Sequence, residues 1–275
     1  SDPELESQIN DRISFKSFLN LPLDYTPPDH STFSRFRKRI CDDAMIQINS
    51  ELLKQFHRYG LSINKGVAVD ARLVKSASRP KSKDRLEKIK EHALTPEGKL
   101  DKKGNVKKFC RDLDSDWTVK NDEPHYGLKE HTAVDTDNGF ILSTTLSPSS
   151  HNDSPYLPRA VIYSMHTKDK IQVVYADKGY PGFPNRNFLG LNKIKDGIMR
   201  KDEKNAKLTQ LEIERNKGIS KLRYIVEQYF GISHKYDNGN KARFPEIMKN
   251  IIDIMFRQFA FNLKKGAKIL GTLPG

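Results

Sequence analysis

Asp70, Asp177 and Glu227 are the side chains of this sequence whose types and settings could do chemistry together. Asp70 lies within Gly66-Val67-Ala68-Val69-Asp70-Ala71-Arg72, which reads as a strand with Val67, Val69 and Ala71 on one face and Ala68, Asp70 and Arg72 on the other. A strand interior normally carries Val or Ile, so an aspartate there needs a partner. Asp177 ends the apolar run Ile171-Gln172-Val173-Val174-Tyr175-Ala176, which Gly179 and Pro181 stop. It would sit at a strand's C-terminal end, where open α/β sheets gather their ligands. Glu227 follows on a helix whose buried stripe is read as Leu222, Ile225, Val226 and Tyr229. It falls about 150° from the centre of that stripe, with Arg223 one turn earlier on the same side, so both are expected to point away from the core. Three carboxylates on two strands and a helix can hold two Mg²⁺ ions through oxygen. Such a metal pair drives in-line displacement at phosphorus. The competing reading is pairing within the protein, Asp70 with Arg72 or a lysine and Glu227 with Arg223.

The elements that must position these groups follow from periodicity. Residues 4–19 look helical, with Ile9, Ile13, Phe15, Phe18 and Leu19 recurring at helical spacing. A proline-rich turn follows at 22–30, and Ser31 or Thr32 can cap a longer helix reaching about Arg58, with Phe33, Phe36, Ile40, Ala44, Ile48, Leu52 and Phe56 as its stripe. Arg35, Arg37, Lys38 and Arg39 crowd its first turns, as in a helix-turn-helix DNA reader or a solvated helical hairpin. After the Asp70 strand, residues 75–111 carry 13 Lys or Arg against 5 Asp or Glu. They read as a basic insertion, helical near 83–92. Strands at 126–134 and 140–146 flank Asp135-Thr136-Asp137-Asn138-Gly139, a hairpin signal that accounts for Asp135 and Asp137 as turn residues. Helices are expected at about 156–166, 184–191, 208–232 and 244–265, with a weak edge strand at 197–199.

Composition narrows the chemistry. In 275 residues the net charge is +13, which favours a polyanionic partner, nucleic acid first. Cys41 and Cys110 have no CxxC spacing, and His125, His131 and His151 lack metal-pair spacing, so zinc is not expected. No phosphate-binding GxxxxGK[ST] loop and no GxSxG elbow occurs, which argues against nucleotide cofactors and acyl transfer. No apolar run nears the ~18 residues of a membrane span, and a reducing cytoplasm, at the nucleoid, is the expected compartment. The chain begins at Ser1 rather than Met, so upstream sequence is expected to be missing.

Several motifs in order resemble the bacterial insertion-sequence transposases of the DDE type, in the insertion-sequence-five branch. Pro28-Asp29-His30-Ser31-Thr32-Phe33-Ser34-Arg35-Phe36-Arg37 is similar to that family's N-terminal helical segment. Val69-Asp70-Ala71 is similar to its first catalytic strand, Tyr126-Gly127-Leu128-Lys129-Glu130-His131 to its second strand, and Ala176-Asp177-Lys178-Gly179-Tyr180 to its second catalytic motif. Arg223-Tyr224-Ile225-Val226-Glu227 is similar to its helix motif with Arg and Glu; His234 and Lys235 stand where relatives often carry a lysine. The resemblance implies an α/β, ribonuclease-H-like mixed sheet flanked by helices over 63–275, with the basic insertion at about 75–124, and a small helical DNA-binding segment over 1–62. It implies catalytic, metal-binding Asp70, Asp177 and Glu227 with two Mg²⁺ or Mn²⁺ ions. The implied activity is cutting of mobile-element ends and joining of 3′-hydroxyls to target DNA, by a homodimer on double-stranded DNA. Arg35, Arg37, Lys129, His131, Lys178, Tyr180 and Arg223 are the expected DNA contacts. The rival expectations are a domesticated DNA-binding protein without catalysis and a structure-specific nuclease without strand transfer.

Overall fold

The computed structural model describes residues 1–63, 65–100, 103–104, 112–165, 170–203 and 206–271. Four helices come first: α1 (Asp2–Asp11), α2 (Ile13–Phe18), α3 (His30–Arg39) and α4 (Asp42–Arg58). Then follow β1 (Gly66–Lys75), α5 (Lys83–Leu94), β2 (Asp116–Lys120), β3 (Glu123–Asp135), β4 (Ile141–Pro148), α6 (Leu157–Tyr163), β5 (Val173–Ala176), α7 (Phe183–Leu191), β6 (Lys195–Ile198), α8 (Gln210–Asp237) and α9 (Ile247–Ile269).

The strand order is β2-β3-β1-β5-β6, with β4 also paired to β3. β3 pairs antiparallel with β1 and β4, whereas β5 lies parallel to β1 and β6 parallel to β5. An antiparallel β4-β3-β1 half continued by two parallel strands, each reached through a helix, is the ribonuclease-H-like arrangement. The hairpin half needs only the turn at Asp135–Gly139, where Asn138 N–H donates to Asp135 Oδ2 at 2.6 Å and Gly139 takes φ 71°.

The two faces of β1 separate as its alternation requires. Val67 and Val69 enter the main core with Leu52, Leu53 and Phe56 of α4, Leu157 and Val161 of α6, and Leu189 of α7. Ala68 packs with Val134 and with Val226 of α8, so the face carrying Asp70 and Arg72 lies under α8. Leu52, Leu53 and Phe56 therefore pack α4 into the sheet's own core. β4 would expose its backbone to α4 and α9, and paired asparagines satisfy it. Asn262 accepts from Ile141 N–H at 2.8 Å and donates to the Ile141 carbonyl at 2.7 Å, while Asn49 accepts from Asn262 at 2.9 Å.

The long helix expected from Ser31 to Arg58 is two helices, broken at Ile40 and Cys41 in extended conformation. Charge explains the break: Arg37, Lys38 and Arg39 favour a helix C-terminus, and Asp42 and Asp43 favour an N-terminus. The first helical stretch likewise divides at Arg12. β2 was not expected. Its hairpin to β3 turns on Asn121 and Asp122 at φ 51° and 63°, the positive-φ pair that suits a two-residue loop. Within the basic insertion the helix is present as α5; residues 101–102 and 105–111, with Cys110, and His166 at the expected end of α6 lie outside the described residues. Among the described residues no helix is long and apolar enough to cross a membrane.

Close approach of α9 to α4 depends on Gly266, where a Cβ would come 2.1 Å from the Phe56 ring. Gly266→Val is expected to destabilise the chain by about 1–3 kcal/mol, read as a lower urea midpoint with an unchanged slope.

Candidate active site

β1 and β5 are neighbours, and their last registered pair is Val69 with Ala176. Asp70 and Asp177 are the next residues on each strand and so come side by side. Asp70 is held inside β1, its side chain 17% exposed, whereas Asp177 stands just past β5 and is 45% exposed. The Lys178 N–H donates to Asp177 Oδ1 at 2.5 Å, which seats the carboxylate on its own turn. α8 crosses above them. Arg223 is buried, donates to Asp70 Oδ2 at 2.5 Å, and brings Nη1 to 3.8 Å from Asp177 Oδ1.

One guanidinium thus serves two carboxylates. Burial raises the Asp70 carboxyl above the ordinary aspartate range, the pull of Arg223 opposes that rise, and the charge of Asp177 adds to it. The Arg223 Nε has no hydrogen-bond partner among the described residues. Two like charges held side by side require positive charge between them, and here Arg223 supplies it.

The burial of Arg223 corrects the phase of α8. Its buried residues are Asn216, Ile219, Arg223, Val226, Tyr229 and Ser233, and Leu222 is 41% exposed. Arg223 therefore faces the sheet instead of pointing away, because its charge is matched by Asp70. Glu227 follows one turn later at the margin of that face, exposed, with no hydrogen-bond or ion-pair partner among the described residues. Neither expected internal pairing forms. Arg72 pairs with Glu130 at 2.7 Å and Arg223 with Asp70 and Asp177, which leaves Glu227 open to a ligand.

Among the described residues, the group of metal-ligand side chains whose donor atoms lie within 4.8 Å of one another is Glu6, Asp29 and His30, not Asp70, Asp177 and Glu227. That group is explained by capping. Asp29 accepts from Ser31 N–H at the start of α3, and Glu6 accepts from His30 N–H at 2.8 Å. The Asp70–Asp177 pair nevertheless fits a divalent cation in its chemistry. It offers hard oxygen donors, it already attracts a cationic group, and a third carboxylate stands free one turn along the helix.

A family model described as "Transposase DDE domain" matches residues 63–263. The chain belongs to the DDE transposase family. A second model, a transposase domain, matches residues 1–39. The transposase for insertion sequence element IS1106 of Neisseria meningitidis serogroup B is 30% identical over 243 residues, covering 87% of this chain and 79% of that protein. Among solved structures, the Mos1 strand transfer complex is 10% identical at a TM-score of 0.24, covering 97% of this chain and 78% of that one. The Mos1 mariner paired-end complex with Mn is 11% identical at 0.23, covering 97% and 79%. Scores so low carry no argument, and the fold stands on the strand pairing above.

The transposase places its expected DNA contacts unevenly. Lys178 is exposed beside Asp177, and Arg35 is exposed on α3, donating to Thr32 Oγ1 at 3.0 Å. Arg37 is paired with Asp2 and ties α3 to α1. Lys129 lies 2.9 Å from Asp153 and donates to the His151 carbonyl at 2.7 Å. His131 and Tyr180 are 1% exposed, which corrects their expected role: buried rings cannot touch DNA. His131 stacks on Tyr156 with centroids 4.1 Å apart and shares a hydrogen bond with Ser147 Oγ. The residue missed by sequence reasoning is Asn185, in the first turn of α7. Its amide donates to the carbonyls of Ser154 and Tyr180, both at 3.0 Å. A lone asparagine early in a helix gives no signal of such a clamp.

Burial lowers the His131 pKa to about 3. Between pH 6.5 and about 3 the unfolded chain carries a proton at this ring that the folded chain lacks. Its contribution is thus fully present above pH 6.5 and lost as pH falls, by about 1.4 kcal/mol per unit. His131→Phe is expected to flatten the fall in unfolding free energy across that window, measured by urea titration at successive pH values.

Proposed function

We propose that this transposase cuts the ends of a mobile DNA element and joins the freed 3′-hydroxyls to target DNA, with Asp70, Asp177 and Glu227 as its catalytic acids. The observation that carries the reading is the Asp70–Asp177 pair on adjacent parallel strands, with one buried cation between them and Glu227 free on the helix above. Membership of the DDE family supports divalent-metal use in general. The three acids would hold Mg²⁺ or Mn²⁺, as two ions. When bound, the metal would activate the attacking oxygen and stabilise the leaving one.

The chain's own groups have separate tasks. Arg223 offsets the like charges of Asp70 and Asp177 and holds the two carboxylates in place beside each other. The fixed strands hold those carboxylates in place, so little rearrangement is needed at the moment of reaction. Glu227 supplies the third oxygen donor from α8. Lys178 and Arg35 contact DNA phosphates, Lys178 beside the reacting strand and Arg35 through the N-terminal helices, and the net charge of +13 adds long-range attraction. The protein acts as a homodimer, one protomer per element end.

The test is a strand-transfer assay with pre-cleaved element-end DNA, a target plasmid and Mg²⁺. Joined product supports the proposal. Nicking without joining makes the protein a nuclease, and binding without either makes it a non-catalytic DNA-binding protein.

A further inference from the structure

Asp153 is a carboxylate beside the candidate centre that no motif assigns. It ends the loop after β4, just before the 3-10 turn Ser154–Tyr156. A Cβ built on Gly179 would lie 3.4 Å from Asp153 Oδ2, so this carboxylate rests against the turn that carries Asp177. Loop and turn are fastened together. Asn185 donates to the carbonyls of Ser154 and Tyr180, and Ser154 Oγ donates to the Pro181 carbonyl at 3.1 Å.

Two buried polar atoms here make no hydrogen bond among the described residues. The Tyr180 hydroxyl has no hydrogen bond, and its charged neighbours are Asp153 first, then Asp70, Arg223 and Asp177. Asp153 Oδ1 is also without a hydrogen bond; Lys129 Nζ is within ion-pair range at 2.9 Å, outside hydrogen-bonding alignment. Lys129 is itself anchored, since it donates to the His151 carbonyl of the same loop. A buried hydroxyl on the Asp177 turn and a part-exposed carboxylate on the facing loop thus lie beside the Asp70–Asp177 pair.

We infer that Asp153 is a fourth carboxylate of this centre, a positioning residue that braces the Asp177 turn and adds negative charge to the cation site, with Lys129 as the counter-ion that offsets it. The inference rests on the reading of Asp70, Asp177 and Glu227 as metal ligands. The number of carboxylate charges around a site tunes its affinity for a divalent cation. Removing the charge of Asp153 would leave Lys129 to repel the cation, and removing Lys129 would leave Asp153 unopposed. A residue that only packed against Gly179 would not give opposite signs.

The experiment is calorimetric titration of the full chain with Mn²⁺ in the absence of DNA, with thermal melting as the check on folding. Asp153→Asn is expected to weaken binding about tenfold and Lys129→Met to tighten it about threefold, with the double variant within about twofold of the unmutated chain. Shifts in the same direction for the two single variants, or no shift in either, overturn the inference. If Asp153→Asn does not fold, Lys129→Met decides alone: tighter binding supports the inference, and unchanged or weaker binding overturns it. Asp177→Asn separates the two levels. If Mn²⁺ binding survives it, the metal reading fails and this inference with it. If Asp177→Asn abolishes binding while the other variants leave it unchanged, only the role of Asp153 fails.

Discussion

Asp177→Asn is expected to lower cleavage of element-end DNA on the order of 10³-fold while leaving the fold and DNA binding in place. A bound metal supplies several kcal/mol of transition-state stabilisation, and each ~1.4 kcal/mol is tenfold in rate. Removing one carboxylate from the donor set forfeits most of that. The substitution is well suited to the purpose because Asp177 is 45% exposed and its contact with Arg223 is long, at 3.8 Å, so little packing depends on it. DNA affinity rests on Lys and Arg contacts to phosphate and should change by no more than about threefold in a gel-shift assay at fixed salt. Retained cleavage in the folded variant would remove Asp177 from the chemistry.

Arg223→Met is expected to produce the largest loss of stability, about 3–5 kcal/mol in chelator, read from urea unfolding. The Arg223 side chain is 9% exposed and Asp70 17% exposed, so deleting the guanidinium leaves a carboxylate in a dry setting with only the Ala71 N–H, at 2.8 Å, to satisfy it. Two additions discriminate this cause from simple loss of packing. Asp70→Asn in the Arg223→Met background should recover part of the loss, because the uncompensated charge is gone. Mn²⁺ should also recover part of it in the single variant, because a ligand that binds the folded state alone stabilises that state. Failure of both would mean that Arg223 acts through its packing and not through the charge it balances.

The placement of the two aspartates was legible in one dimension. Period-2 alternation placed Asp70 on the correct face of β1, and the apolar run stopped by glycine placed Asp177 at the end of β5. These signals are local: a pleat sets the face and a turn sets the end. Arg223 was misread for the opposite reason. A stripe that includes Leu222 puts Arg223 on the outward side, and what buries it is Asp70, 153 residues away in sequence. That single pairing shifts the buried stripe of α8 and brings Arg223, expected on the outward side with Glu227, onto the sheet. His131 and Tyr180 are expected DNA contacts from their places in the second-strand motif and in the turn after Asp177, and tertiary packing buries both. Two misses did have local signals. The switch from Arg37-Lys38-Arg39 to Asp42-Asp43 marks the break between α3 and α4, and Asn121-Asp122 marks the hairpin that makes β2. Both lie among charged residues, where polar composition masked the turn chemistry.

We propose that Asp70 and Asp177, with Glu227, form one divalent-metal centre at which Arg223 balances charge. Crystals of the full chain grown with Mn²⁺, with anomalous diffraction recorded at the manganese edge, test it most directly. The expected result is an anomalous peak bound by carboxylate oxygens of both Asp70 and Asp177, at about 2.0–2.3 Å, with the Arg223 guanidinium moved off Asp70 Oδ2. A well-ordered site with Arg223 still bridging both aspartates and manganese bound only elsewhere on the chain would contradict it.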